Sequence, residues 1–263
     1  MNNLNNMEQT KGTKIFSQIL KSVREKALAF QYGTHYDSGD KQYLNIPVLK
    51  TGATATIVPE GAIATTSSVD IEMVNCALEK AVVIIPYSKE QYKFSDLDNL
   101  PKELEDIAVD SISKKIDELA LAEVLRNCQE VTSEGDIAKD INASMKSVET
   151  VADYKADKVL LPVSSKYDLR AKAIDGTVNG ISADSVFGIA PIYVDGDNKI
   201  VLDSKYLAIV TNQNIEVEHL TEATIKIGEE FVSLPQNSLE AIKLTCYFNV
   251  KKLRDNAVAK VTE

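Results

Sequence analysis

Two histidines, three cysteines, one Gly-x-Ser segment and a few Asp-rich stretches are the groups in this chain whose types and spacing suit catalysis or metal binding. In Gly180-Ile-Ser-Ala-Asp184 the last position is Asp, where a strand-to-helix nucleophile elbow requires Gly. His35 and His219 stand in no recognisable partner motif, so both are expected as packed or surface residues. Gly176-Thr-Val-Asn-Gly180 is followed by no Lys-Ser or Lys-Thr and cradles no phosphate. Asp195-Gly-Asp-Asn198 begins like a calcium loop, yet Lys199 stands at a ligand position and Ile200 where Gly is required; it predicts a hairpin turn. Cys76, Cys128 and Cys246 are far apart and form no Cys-x-x-Cys, so they read as small buried hydrophobes. The adjacent acids Asp117 and Glu118 are expected on the solvated face of a helix. No catalytic set, metal or cofactor is implied.

Composition narrows the classes further. With 44% apolar residues in 263, the chain can bury a substantial core as one large domain or two connected ones. A net charge of −10 argues against gripping nucleic acid, which needs clustered Lys and Arg. No apolar run of membrane length occurs, and the first thirteen residues lack a secretory pattern, so the expectation is a soluble, intracellular protein with no membrane contact. Charge is uneven: residues 1–35 and 243–263 lean basic, whereas 96–153 carry fifteen acids against six bases. Opposite signs on separate segments suit contacts between copies, or simply solvated surfaces.

The elements follow from periodicity. Ile15, Phe16, Ile19, Leu20, Val23, Ala27 and Phe30 fall on one helical face, predicting an amphipathic arm that packs on its own subunit or on a neighbour. Leu44, Ile46 and Val48, and again Val69, Ile71 and Met73, alternate as half-buried strands. Between them a Thr-rich stretch with Pro59-Glu60-Gly61 predicts a long projecting hairpin, a flat ribbon that needs a partner. Ala81 to Tyr87 reads as a strand buried on both faces and stopped by Pro86. A helix over 100–127, about 40 Å long at 1.5 Å per residue, is predicted from caps at Asp98 or Asn99, Pro101 in the first turn, and a stripe of Leu104, Ile107, Ala108, Ile112, Ile116, Leu119 and Ala120. Further elements are a helix over 136–152, a strand over 158–163, a short helix over 166–174, and a hairpin of 189–194 with 200–202. Strands follow over 206–211, 215–219, 224–227 and 241–250. The class is α+β, without a βαβ repeat.

This order resembles the major capsid proteins of tailed bacteriophages, the Hong Kong 97 fold. The likeness rests on Ile57-Val-Pro-Glu-Gly-Ala62, Leu78-Glu-Lys-Ala-Val-Val-Ile-Ile-Pro-Tyr-Ser88, Ala156-Asp-Lys-Val-Leu-Leu-Pro-Val-Ser164, Phe187-Gly-Ile-Ala-Pro-Ile-Tyr-Val194 and the closing Leu244 to Ala257, in that order and spacing. It implies an amino-terminal arm (1–40), an extended hairpin loop (41–76) and a peripheral domain with a spine helix (77–132). An axial domain (133–240) and a return strand to the peripheral domain (241–263) complete it. It further implies a subunit that assembles with many copies of itself into hexamers and pentamers of an icosahedral head enclosing a genome. Such a subunit is built in the bacterial cytoplasm and resides in the virion capsid, with scaffolding, portal and decoration proteins as further partners. Many members carry a long amino-terminal scaffolding extension where this sequence shows a short arm; the expectations are a separate scaffold, an already matured chain, or unaided assembly like that of the similarly folded encapsulin shells, which stand as the alternative.

The resemblance places subunit contacts at the hairpin, at Lys50, Gly52, Pro59, Glu60 and Gly61, and on the arm at Phe16, Ile19 and Val23. Lys50, Glu60 and Asn249 also stand in regions where some members form a covalent cross-link, though most members form none. An α+β enzyme of another fold, which would show a polar pocket, and a ring-forming adaptor remain the competing classes.

Overall fold

The computed structural model describes residues 19, 21–51, 57, 58, 60, 63, 66, 69–90, 100–150, 154–174, 181–213 and 215–262. Phe16, Gly52, Pro59, Gly61, the expected helix caps Asp98 and Asn99, and the 175–180 turns lie outside them.

The arm contributes helix α1 (21–26) and the one-turn helix α2 (Ala29–Tyr32). They lie on α3 (Leu100–Leu125), whose 26 residues agree with the predicted spine but for its last two positions. Its buried stripe is Leu104, Ala108, Val109, Ile112, Ile116, Ala120 and Val124. Ile107, expected in that stripe, is 52% exposed. At 3.6 residues per turn, steps of four drift by about 40° each, so the buried face centres near Ile112 and Ile107 sits roughly 140° away. The other helices are α4 (Ile137–Thr150) and α5 (Ser165–Ile174), each within two residues of expectation.

A five-stranded sheet forms one wall of the larger core. Its centre is β13 (Leu239–Lys252), paired along one edge with β4 (Glu79–Ser88) and along the other with β10 (Glu216–Leu220), then β9 (Leu207–Thr211). Strand β1 (Thr34–Asp37) extends the sheet in parallel with β9. Thus two strands within the 133–240 range expected for the axial domain hydrogen-bond to the return strand.

Two expectations fail here. Strand β4 runs through Pro86 to Ser88, and its alternate residues Val82 and Ile84 are exposed. It pairs with β13 alone among the described strands, and Pro is tolerated because an outer strand has one edge unpaired.

The second failure lies in the other five-stranded sheet, ordered β5 (Gln129–Thr132), β14 (Val258–Thr262), β8 (Ile200–Leu202), β6 (Lys158–Pro162), β7 (Pro191–Val194). The predicted 189–194/200–202 hairpin does not form. β6 lies between its two strands, parallel to β7 and antiparallel to β8. β6 is apolar on both faces and is buried from Val159 to Pro162, which only a central position provides.

Two cores result. The larger joins α1, α2, α3 and the first sheet to one face of the second sheet at Leu160, Ile200 and Leu202; the second joins α4 and α5 to its other face through Ile141, Val148, Leu161, Leu169 and Val201. β14 touches both, with Val258 in the first and Ala259 in the second. No helix among the described residues is long and apolar enough to cross a membrane.

Candidate functional site

Most of the groups that suit catalysis are engaged in structural contacts. His35 Nε2 stands 2.8 Å from Thr211 Oγ1, and burial, then the charge of Arg24, holds its pKa below the usual imidazole value. His219 is an exposed position on β10, opposite Ile242. Ser182 Oγ accepts from the N–H groups of Asp184 and Ser185, which makes it a turn residue. Burial raises the Cys76 thiol to about 11 and the Cys246 thiol to about 12, so neither offers a thiolate near neutral pH. Cys128 is half-buried and donates to the Leu125 carbonyl at the end of α3. No cluster of metal-ligating side chains occurs among the described residues.

Asp117 departs from expectation. It is half-buried, and its Oδ1 accepts the Ala29 N–H at 2.7 Å, capping α2 from across the helix pair. The arm packs on this side of α3, so the face expected to be solvated is covered. Glu118 does stay exposed, paired with Lys115 at 2.9 Å.

The surface that lacks cover is the ribbon of β2 (Tyr43–Thr51) and β3 (Asp70–Ala77). Its register pairs Tyr43 with Ala77, Asn45 with Asn75, Pro47 with Met73 and Leu49 with Ile71. Period-two alternation turns Ile46, Val48 and Cys76 onto Ala208, Val210 and Leu253 of the body. The other phase is also largely apolar: Tyr43, Leu49, Ile71 and Met73 are about half exposed or more. Beyond the ribbon, Ile57 is 100% and Ile63 94% exposed.

Polar contacts fix the ribbon's root. Arg254 donates to Glu72 at 2.7 Å, and that hydrogen bond holds the Glu72 carboxyl below its ordinary pKa. Asn249 Nδ2 donates to the Ala77 carbonyl at 2.6 Å, and its Oδ1 accepts the Val250 N–H. On the outward face Asn75 donates to Asn45 at 2.7 Å. Between ribbon and body lies an open cleft of about 690 Å³, lined in part by Asp40, Tyr43, Asn75, Lys80, Glu216 and Tyr247, with no histidine or cysteine among its lining residues.

Of the predicted contact residues, Lys50 is exposed and 3.9 Å from Asp70, and Glu60 is exposed. Ile19 and Val23 are buried at 8% and 3% in their own subunit's core. The arm stripe therefore follows the intramolecular alternative, because α3 and the first sheet supply its apolar cover. Residue patterning missed Tyr43 and Leu49. The available signal was that the apolar residues of 43–49 occupy both phases of the alternation, one more face than the body covers.

No protein-family model and no curated protein matches this chain. Solved structures do. A chain from Microbacterium phage Oxtober96 aligns at TM-score 0.69 and 18% identity, over 90% of this chain and 91% of its own. One from Mycobacterium phage Cain aligns at 0.67 and 20% identity, over 90% of each. The capsid of a native GTA particle gives 0.65 and 10% identity, over 88% of each. The α+β capsid fold expected from the sequence is thus the fold found, along nearly the whole chain.

Proposed function

We propose that this chain is a shell-forming subunit, a major capsid protein of the tailed-phage type, whose copies build hexamers and pentamers of a closed head around a genome. The observation that carries the reading is the ribbon. A two-stranded arm with one apolar face packed on the body and a second left to solvent is an association hazard for a monomer and an interface for an assembling one. The fold shared with a capsid chain over 88% of the length supports the same reading.

In this assembly the hairpin 41–76 joins neighbours, with Lys50, Glu60 and the outward residues Tyr43, Leu49, Ile71 and Met73 at the contact. The larger core serves as the peripheral domain and α3 as its spine, and the second core lies within the axial domain. Each contact is weak, and repetition in a closed shell makes the whole stable. The interior contains nucleic acid without binding it, in keeping with a net charge of −10. The chain acts by association and performs no catalysis.

Electron microscopy of the protein, expressed alone and with its neighbouring genes, tests this. Closed icosahedral particles are expected in at least one preparation. The Leu49→Asp/Met73→Asp variant, altered only at exposed positions, and a deletion of residues 52–66 should yield folded subunits that close no shell. Small oligomers alone from the unaltered protein, or normal shells from both variants, would overturn the proposal.

A further inference from the structure

A second cavity, of about 280 Å³, lies where the arm meets the spine helix and shares no lining residue with the cleft beside the ribbon. Three pieces of chain form it. Lys114, Asp117, Glu118 and Leu121 stand at i, i+3, i+4 and i+7 of α3, which puts them on one face of the helix. Leu28 and Tyr32 bracket α2, and Val194 and Asp195 come from the end of β7 and the turn that follows it. Leu28 and Leu121 pack against the larger core and Val194 is buried in it, so one side of the cavity is apolar.

The other side is charged. Asp117, Glu118 and Asp195 set three carboxylates against the single Lys114 ammonium, an excess of two negative charges around a small volume. Asp195 and Lys114 have no ion-pair partner among the described residues. Tyr32, which also lines the cavity, is 1% exposed, yet its hydroxyl has no hydrogen-bond partner among the described residues. Burial, and after it the Asp117 charge, raises its pKa, so the group stays a protonated phenol. A buried hydroxyl without a partner carries a desolvation penalty that a bound polar group would remove.

No cluster of metal-ligating side chains occurs among the described residues, and an apolar wall offers nothing to a bare metal ion. A small organic cation suits both sides of the cavity. Its ammonium N–H groups donate to the carboxylates and to the Tyr32 oxygen, while a short alkyl chain covers Leu28, Leu121 and Val194.

We propose that this cavity binds a small aliphatic amine, best a diamine whose two ammonium groups match the excess of negative charge, and that the bound amine fastens the arm to the spine and to the turn after β7. The site lies within one subunit, so the inference holds whether or not copies close a shell.

Calorimetric titration of the full-length protein with putrescine at fixed ionic strength tests the site. Succinate is the control of opposite charge, and magnesium chloride the control of equal charge without an alkyl chain. One putrescine per chain should bind with a dissociation constant of about 1 mM or tighter, and saturation should raise the thermal midpoint. Tyr32→Phe should weaken binding by at least about fivefold without lowering the midpoint of the free protein, because the hydroxyl has no hydrogen bond to lose. Asp195→Lys, at an exposed position, should abolish binding, and Lys114→Gln should tighten it by about threefold. Amide exchange across residues 28–32 should slow with putrescine bound; unchanged exchange there would overturn the fastening of the arm. Absence of saturable binding below about 10 mM, an equal response to succinate or magnesium, or an affinity unchanged by Tyr32→Phe or by Asp195→Lys would overturn the site itself.

Discussion

Asp140 and Asp117 are both covered carboxylates, and their surroundings push them in opposite directions. Asp140 is 0% exposed, and burial alone would raise its pKa. Hydrogen bonds from Lys199 at 2.6 Å, the Glu134 N–H at 2.8 Å and Ser133 at 2.9 Å outweigh burial and hold it below the usual value. A depressed folded-state pKa means stability that is present above the unfolded value and lost as pH falls through the folded one. Asp140→Asn should therefore cost roughly 2 kcal/mol near neutral pH, and the gap to the unaltered protein should narrow below about pH 4. Urea titrations at the two pH values measure it. At Asp117 burial prevails over the Leu28 and Ala29 donors and raises the pKa, so stability grows as pH falls through the folded value toward the unfolded one. Asp117→Asn keeps an acceptor for Ala29 and sheds the disfavoured charge, so it should change neutral-pH stability by under about 1 kcal/mol. Asp117→Leu removes the cap and should destabilise by about 1 kcal/mol. A large loss in the Asn variant would show that the charge itself is required.

The spine helix tests orientation at the scale of an element. Ile112 is 2% exposed and Ile107 52%, although both belong to one sequence pattern. Ile112→Ala should lose about 3 kcal/mol through transfer and cavity terms, and Ile107→Ala about 0.5 kcal/mol or less in the isolated subunit. Equal losses in chemical denaturation would show that the helix is turned differently. The strand end of the element is tied as well: Glu123 Oε1 accepts the Lys252 N–H at 3.0 Å, and the Lys252 ammonium reaches the Arg126 carbonyl just past the helix terminus. Helix and β13 should consequently exchange amide hydrogens as one unit.

Across the whole molecule, the second sheet joins the two cores, with Leu160, Ile200 and Val258 in the larger and Leu161, Val201 and Ala259 in the second. β14 lies between β5 and β8, so its removal would detach β5, while β6 and β8 would still touch both clusters. Truncation after residue 257 should therefore lower the unfolding midpoint and reduce protection around α4 and β5, with near-native helix content from α3 and a transition that stays single. An unaltered midpoint would mean that β14 contributes little to either core. How much of this was legible in the sequence divides along a physical line. The types and most boundaries of the predicted elements were readable, because a period of 3.6 or 2 is a property of neighbouring residues, whereas the short strands β1, β5, β12 (Glu230–Ser233, the partner of β11, Thr224–Ile227) and β14 were not. So was the family likeness, carried by motif order. Strand order was not: the turn at 195–198 looks like a hairpin locally, yet β6, some forty residues earlier, takes the place between its arms. Nor was the outer position of β4, the covering of Asp117 by the arm, or the burial of Ile19 and Val23 in their own subunit. Each depends on what long-range contacts leave buried or bare, and only the folded chain decides that.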